Sequence, residues 1–147
     1  MEFLKAYLDY AVFGILGLMG FIALWITFER FFYYRSVKWQ EFSHHEHLNI
    51  ALSRNLTSLS IIGANAPYVG LLGTVLGILI TFYDLGQGHD LDTGAIMLGL
   101  ALALKATAAG IAIAIPSIMF YNGLVRKVDV INAQYRAMQD GKRDLSA

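Results

Sequence analysis

The sequence has no cysteine and only two prolines, and its acidic and basic residues cancel. Without thiols there is no disulfide, no zinc–thiolate centre and no cysteine nucleophile. Without net charge there is no electrostatic footprint for a nucleic-acid partner, and none is expected. Charge of either sign is scarce: Asp, Glu, Lys and Arg make up 15% of the 147 residues, against about 25% in an ordinary soluble domain. Apolar residues make up 56% of the chain, and its mean hydropathy is +0.53. Such a composition is solvated by lipid, and at this length it predicts a single membrane domain over residues 1–147.

Chemistry-bearing constellations are missing too. No Ser/His/Asp set and no carboxylate pair supports hydrolysis, so the chain does not read as an enzyme, and nothing in it asks for a cofactor. "GLLGTVLG" lacks the G-K-[ST] of a phosphate loop and lies inside an apolar run rather than after a strand. "HHEH" (His44, His45, Glu46, His47) puts two imidazoles one turn apart but lacks a placed fourth ligand, so it reads as a solvated face and no metal is expected.

What is present is length in the apolar runs. A helix crossing a hydrocarbon core of about 30 Å needs roughly 20 apolar residues. Three runs meet this, at about 10–28, about 63–84 and about 94–121. The first carries Glu2 and Asp9 near its front and lacks a small-residue cleavage site, so it is expected to remain as an anchor. Lys and Arg set the orientation. They gather after the first run (Arg30, Arg35, Lys38, Arg54) and after the third (Arg126, Lys127, Arg136, Lys142, Arg143), whereas the hairpin at about 85–93 has only Asp90 and Asp92, beside Asp84. The pattern predicts an all-α protein with its N-terminus outside and three transmembrane helices. Both basic segments, about 29–60 and about 122–147, then lie in the cytoplasm. The first is expected to be mostly helical. In the second, Val128, Ile131 and Tyr135 fall at helical spacing, so the third span should continue as a helix beyond the membrane.

Spans two and three are rich in small residues. At 100° per residue, Gly70, Thr74, Gly77 and Thr81 fall within about 60° on one face, and Ala103, Thr107, Gly110 and Ala114 form a matching stripe. Such stripes let helix backbones approach closely in lipid. Packing is the plain reading, and a polar path lined by threonine hydroxyls is the sharper one. Counting inward at 1.5 Å per residue, Thr74 lies about 15 Å deep from Asp84, and Lys105 and Thr107 about 16 and 20 Å deep from Gly94. Lys105 is the one ionisable group at that depth, where a charge costs about 2.5–3.5 kcal/mol and signals function by default. It is expected to face a pore, a subunit interface or a carboxylate from another chain.

"APYVGLLGTVLGILITF" (Ala66 to Phe82) and "ATAAGIAIAIPSIMFYN" (Ala106 to Asn122), on antiparallel spans joined by a short acidic hairpin, resemble the two signature helices of the ExbB/TolQ/MotA family. These are channel-forming subunits of motors driven by the ion-motive force, and the chain is most similar to the short ExbB branch. The resemblance implies a homopentamer in the bacterial inner membrane around the helices of an ExbD-like partner, whose membrane aspartate carries the proton. It also implies coupling to a TonB-like protein that energises outer-membrane uptake of siderophores, metals or vitamins. A TolQ-like envelope-maintenance motor and a non-conducting scaffold are the alternatives. Thr74 and Thr107 match the family's pore threonines and Pro116 its late proline; Gly73, beside Gly70 and Gly77 of the stripe, is expected to pack helices. Leu102 stands where many members carry a membrane glutamate, and Lys105, three residues on, where they carry an apolar residue. The resemblance therefore implies a shell that supplies hydroxyls and a cation to a partner's acid. With no carboxylate inside any span, no proton-relay acid of the chain's own is expected.

Overall fold

The computed structural model describes residues 2–88 and 92–146. The chain runs through α1 (Glu2–Ser36), a 3-10 turn (Trp39–Glu41), α2 (His45–Ser53), α3 (Leu56–Gly86) and α4 (Thr93–Ser146). There is no strand among the described residues, and α1, α3 and α4 are each long and apolar enough to cross a membrane. The middle of the hairpin, Asp90 included, lies outside the described residues.

Local chemistry marks the ends. Asp92 starts α4 by accepting the Ala95 N–H at 2.6 Å, one of the donors a helix N-terminus leaves unpaired. Asn55 sits between α2 and α3 with φ of 67°, a left-handed conformation that asparagine tolerates better than most residues. α3 and α4 run straight through Pro67 and Pro116. α4 does not stop at the lipid boundary, and its 54 residues make a rod of about 80 Å.

α1, α3 and α4 pack as a bundle, with the most extensive contact between α3 and α4. Beyond Arg30 the bundle widens, and α2 packs back into it. Leu48, Leu52 and Leu59 are wholly buried there, with Val128, Ile131 and Tyr135 of α4. The 29–60 segment is mostly helical, as expected, but it is not one helix: it breaks at residues 37–44 apart from one 3-10 turn. The reason is tertiary. The last-turn carbonyls of α2 have no partners within their own helix, and α1 provides them. Arg30, only 2% exposed, donates to Ala51 O at 2.8 Å, and the Tyr34 hydroxyl donates to Leu52 O. The Arg30 guanidinium also pairs with Glu29 and lies 4.4 Å from the Tyr33 ring centre. Tyr135 donates to Phe42 O at 2.7 Å, fixing the extended link to α4. One continuous helix would carry α2 away from all of these groups.

Leu52→Ala is expected to destabilise this end by about 2–5 kcal/mol, the usual cost of emptying a fully packed leucine site. An earlier thermal transition of the purified protein in detergent would show it. An unchanged midpoint would mean that α2 docking adds nothing to stability.

Candidate functional site

The small-residue stripes meet face to face. A Cβ built on Gly70 would lie 2.5 Å from Ala106 O, and one on Gly110 would lie 2.5 Å from Ala66 O. Each glycine thus presses its Cα against the other helix's backbone, a contact no other residue permits. Gly77 adds a looser contact with Ala103, and Gly73 sits at the three-helix junction between Val12 of α1 and Ala106 of α4. Ala103, Ala114 and Thr81 are buried on the same interface. Pro116 is exposed and lines a groove between α1 and α4 with Gly20 and Ala23. The stripe also reaches further than the sequence reading took it. Gly63 is buried seven residues before Gly70, Gly99 four before Ala103, and Ser117 three after Ala114. Extending the same periodicity would have found them.

This close approach brings Thr74 and Thr107 into hydrogen-bond contact. Thr74 Oγ1 also lies 2.8 Å from Ala103 O. Each hydroxyl has one proton and two lone pairs, and the network assigns the donors. Thr74 donates to Ala103 O, and Thr107 donates to Thr74. Thr107 is half-buried, and its oxygen keeps acceptor capacity on the open side. The pair is a short donor chain that ends in an acceptor, suited to a protonated acid or a water.

Lys105 is not part of that pair. It is exposed and takes part in no hydrogen bond or ion pair among the described residues. Two residues on a helix are 200° apart, so Lys105 and Thr107 match in depth but point to nearly opposite sides. Its face carries alanines: Ala101, Lys105, Ala108 and Ala112 fall within about 60° and are all exposed. Leu102 is turned towards α1 instead, and lines a groove with Lys5 and Asp9. The sequence reading gave α1 no part near the threonine stripe. Yet the Lys5 ammonium reaches Thr81 Oγ1 at 3.4 Å, seventy-six positions away in sequence. The His44 and His47 rings pack edge to face with centres 5.4 Å apart, and no three potential metal ligands gather among the described residues.

Comparison with known proteins gives this geometry a context. Residues 41–137 match the family described as the MotA/TolQ/ExbB proton channel family. The chain is 50% identical to the biopolymer transport protein ExbB of Helicobacter pylori J99, over 95% of this chain and 96% of that protein. It is also 50% identical to the biopolymer transport protein ExbB of Aquifex aeolicus VF5, over 87% of this chain and 86% of that one. The ExbB of Neisseria gonorrhoeae is 40% identical over 56% of this chain and 38% of its own length. The similarity to the short relatives runs from end to end and takes in the helix pair that holds the two threonines. The chain belongs to the MotA/TolQ/ExbB proton channel family.

Proposed function

We propose that the chain is the channel-forming subunit of an ExbB-like motor in the bacterial inner membrane, driven by the proton-motive force. Five copies would surround the membrane helices of an ExbD-like partner and drive a TonB-like protein, energising outer-membrane uptake of siderophores, metals or vitamins. The observation that carries this reading is the Thr74–Thr107 pair, two hydroxyls held at mid-depth by backbone contacts that fix their separation. The distribution of Lys and Arg supports a cytoplasmic location for the Arg30 end and an outer location for the Lys5 end.

The proposed mechanism follows from the donor chain. While the partner's carboxyl is protonated, its O–H donates to the free acceptor of Thr107. Once it loses the proton it needs a donor, and Thr107 supplies one by turning its own O–H away from Thr74. The pair thus makes different contacts with the two protonation states of one acid. The exchange involves about one hydrogen bond, worth roughly 0.5–1.5 kcal/mol net. A proton crossing 100 mV releases about 2.3 kcal/mol, enough to drive such a step. The exposed face around Lys105 carries Ala101, Ala108 and Ala112 beside the larger Leu98 and Leu102 and is suited to contact with a neighbouring chain, since lipid would penalise its charge.

Thr74→Val and Thr107→Val test the reading, since valine keeps the shape and removes the hydroxyl. Each is expected to lower proton-driven uptake at least about tenfold, the loss of roughly 1.4 kcal/mol of hydrogen bonding, while the oligomer still purifies with its partner. Wild-type uptake in both variants would reduce the threonines to packing.

A further inference from the structure

At the end of the bundle opposite Arg30, a groove of about 330 Å³ opens between the three long helices. Lys5 and Asp9 line it from α1, Thr81 and Asp84 from α3, and Gly99 and Leu102 from α4. Lys5 and Asp9 are one helical turn apart, so both side chains come from the same face of α1. Gly99 makes room for the ammonium: a Cβ there would lie 2.8 Å from Lys5 Nζ and 3.0 Å from Thr81 Oγ1. Lys5 reaches the Thr81 hydroxyl at 3.4 Å but joins neither ion pair found among the described residues. Asp84 Oδ1 is buried and has no hydrogen-bond partner among the described residues.

A buried carboxylate oxygen without a donor is costly. Among the described residues, the groove is lined by two carboxylates and one ammonium, one positive charge short of neutrality. Its floor is Thr81, two helical turns along the buried face of α3 from Thr74, about 10 Å. The Thr81 hydroxyl bonds back to Gly77 O at 3.0 Å.

We propose that this groove is the cation-collecting mouth of the threonine-lined path. Asp84 and Asp9 attract a proton from the compartment onto which the groove opens, Asp84 supplies the oxygen that takes it, and Lys5 sets the threshold by opposing it. The inference rests on the channel reading and adds the site at which the ion enters. The transfer balances: the proton leaves a hydronium as water, binds the free carboxylate oxygen, and brings the groove to neutrality. Narrow, low-dielectric clefts lined by charge raise the local concentration of the opposite ion by about 10- to 1,000-fold. Removing the steering charge of Asp9 or Lys5 therefore changes how much acid the channel needs, and leaves the rate at saturation in place.

The experiment is proton flux through the whole complex, chain and native partner, in vesicles, as a function of proton concentration on the groove side. Asp9→Asn is expected to raise the half-saturating proton concentration about tenfold with maximum flux kept, and Asp84→Asn to raise it at least as far and to lower maximum flux as well, because it removes the oxygen that takes the proton. Lys5→Met is expected to lower it. Damage to folding cannot shift half-saturation in both directions, so shifts of one sign, or none, would overturn the proposal. A half-saturation that follows sodium instead of protons would also overturn it. Thr74→Val in the same assay separates the two readings. If it is silent while the charge variants shift as stated, the pore role of the threonines falls and the mouth stands. If it abolishes flux while the charge variants do nothing, the mouth alone is removed.

Discussion

Gly110→Val is expected to abolish the working bundle, leaving little or no oligomer in membranes and no uptake. The first added carbon would sit 2.5 Å from Ala66 O and 3.1 Å from the Gly70 Cα. Both neighbours are backbone, so no side chain can turn aside and the helices themselves must part. Overpacking a tight interface costs about 1–3 kcal/mol or more, and here the displacement also pulls Thr107 away from Thr74. In lipid no hydrophobic drive compensates, because close packing is itself the association force. Gly123→Val is the matched control, since nothing lies within 4 Å of a Cβ there. Immunoblots of membranes and native electrophoresis would separate the two variants. Equal assembly of Gly110→Val and Gly123→Val would refute the close-packed interface.

Lys105→Met is expected to lower uptake by about tenfold or more while increasing, or leaving unchanged, insertion of the third span. Methionine keeps the length of the side chain and removes a charge that costs about 2.5–3.5 kcal/mol at mid-depth. A variant that inserts better yet works worse identifies a functional charge. A fixed cation favours the ionised form of a carboxylate nearby; Lys105 is exposed and pairs with no carboxylate among the described residues, so the acid expected to respond belongs to another chain. Siderophore or metal uptake in cells lacking the native copy gives the readout. Full uptake would remove any essential role for the charge.

Parts of this architecture are legible because they follow from periodicity and composition. Three apolar runs become three long helices, and the small residues from Gly70 to Thr81 and from Ala103 to Ala114 meet across one interface. Thr74 and Thr107 meet as well, because each lies on its stripe at a matching depth. Val128, Ile131 and Tyr135 are buried where their spacing placed them.

Other features depend on what lies on a different helix. Depth alone grouped Lys105 with the threonines, but direction around α4 separates them. Asp9 and Asp84 stand at the ends of their spans in sequence, and the bundle brings both to the groove that Leu102 lines.

Composition and periodicity were enough for the membrane class, the three long helices, the packing stripes and the family. Each of these is carried by repeats within a single segment, read at fixed rise and rotation per residue. Packing of the helices was needed to bring α2 back onto Arg30 and Tyr34, to leave Lys105 exposed, and to carry Lys5 to Thr81. Those outcomes depend on the rotation of one helix against another. Helix rotation is fixed by partners on other helices: the last carbonyls of α2 take donors from α1, and Lys5 finds a hydroxyl on α3, and such pairings leave no periodic trace in the chain.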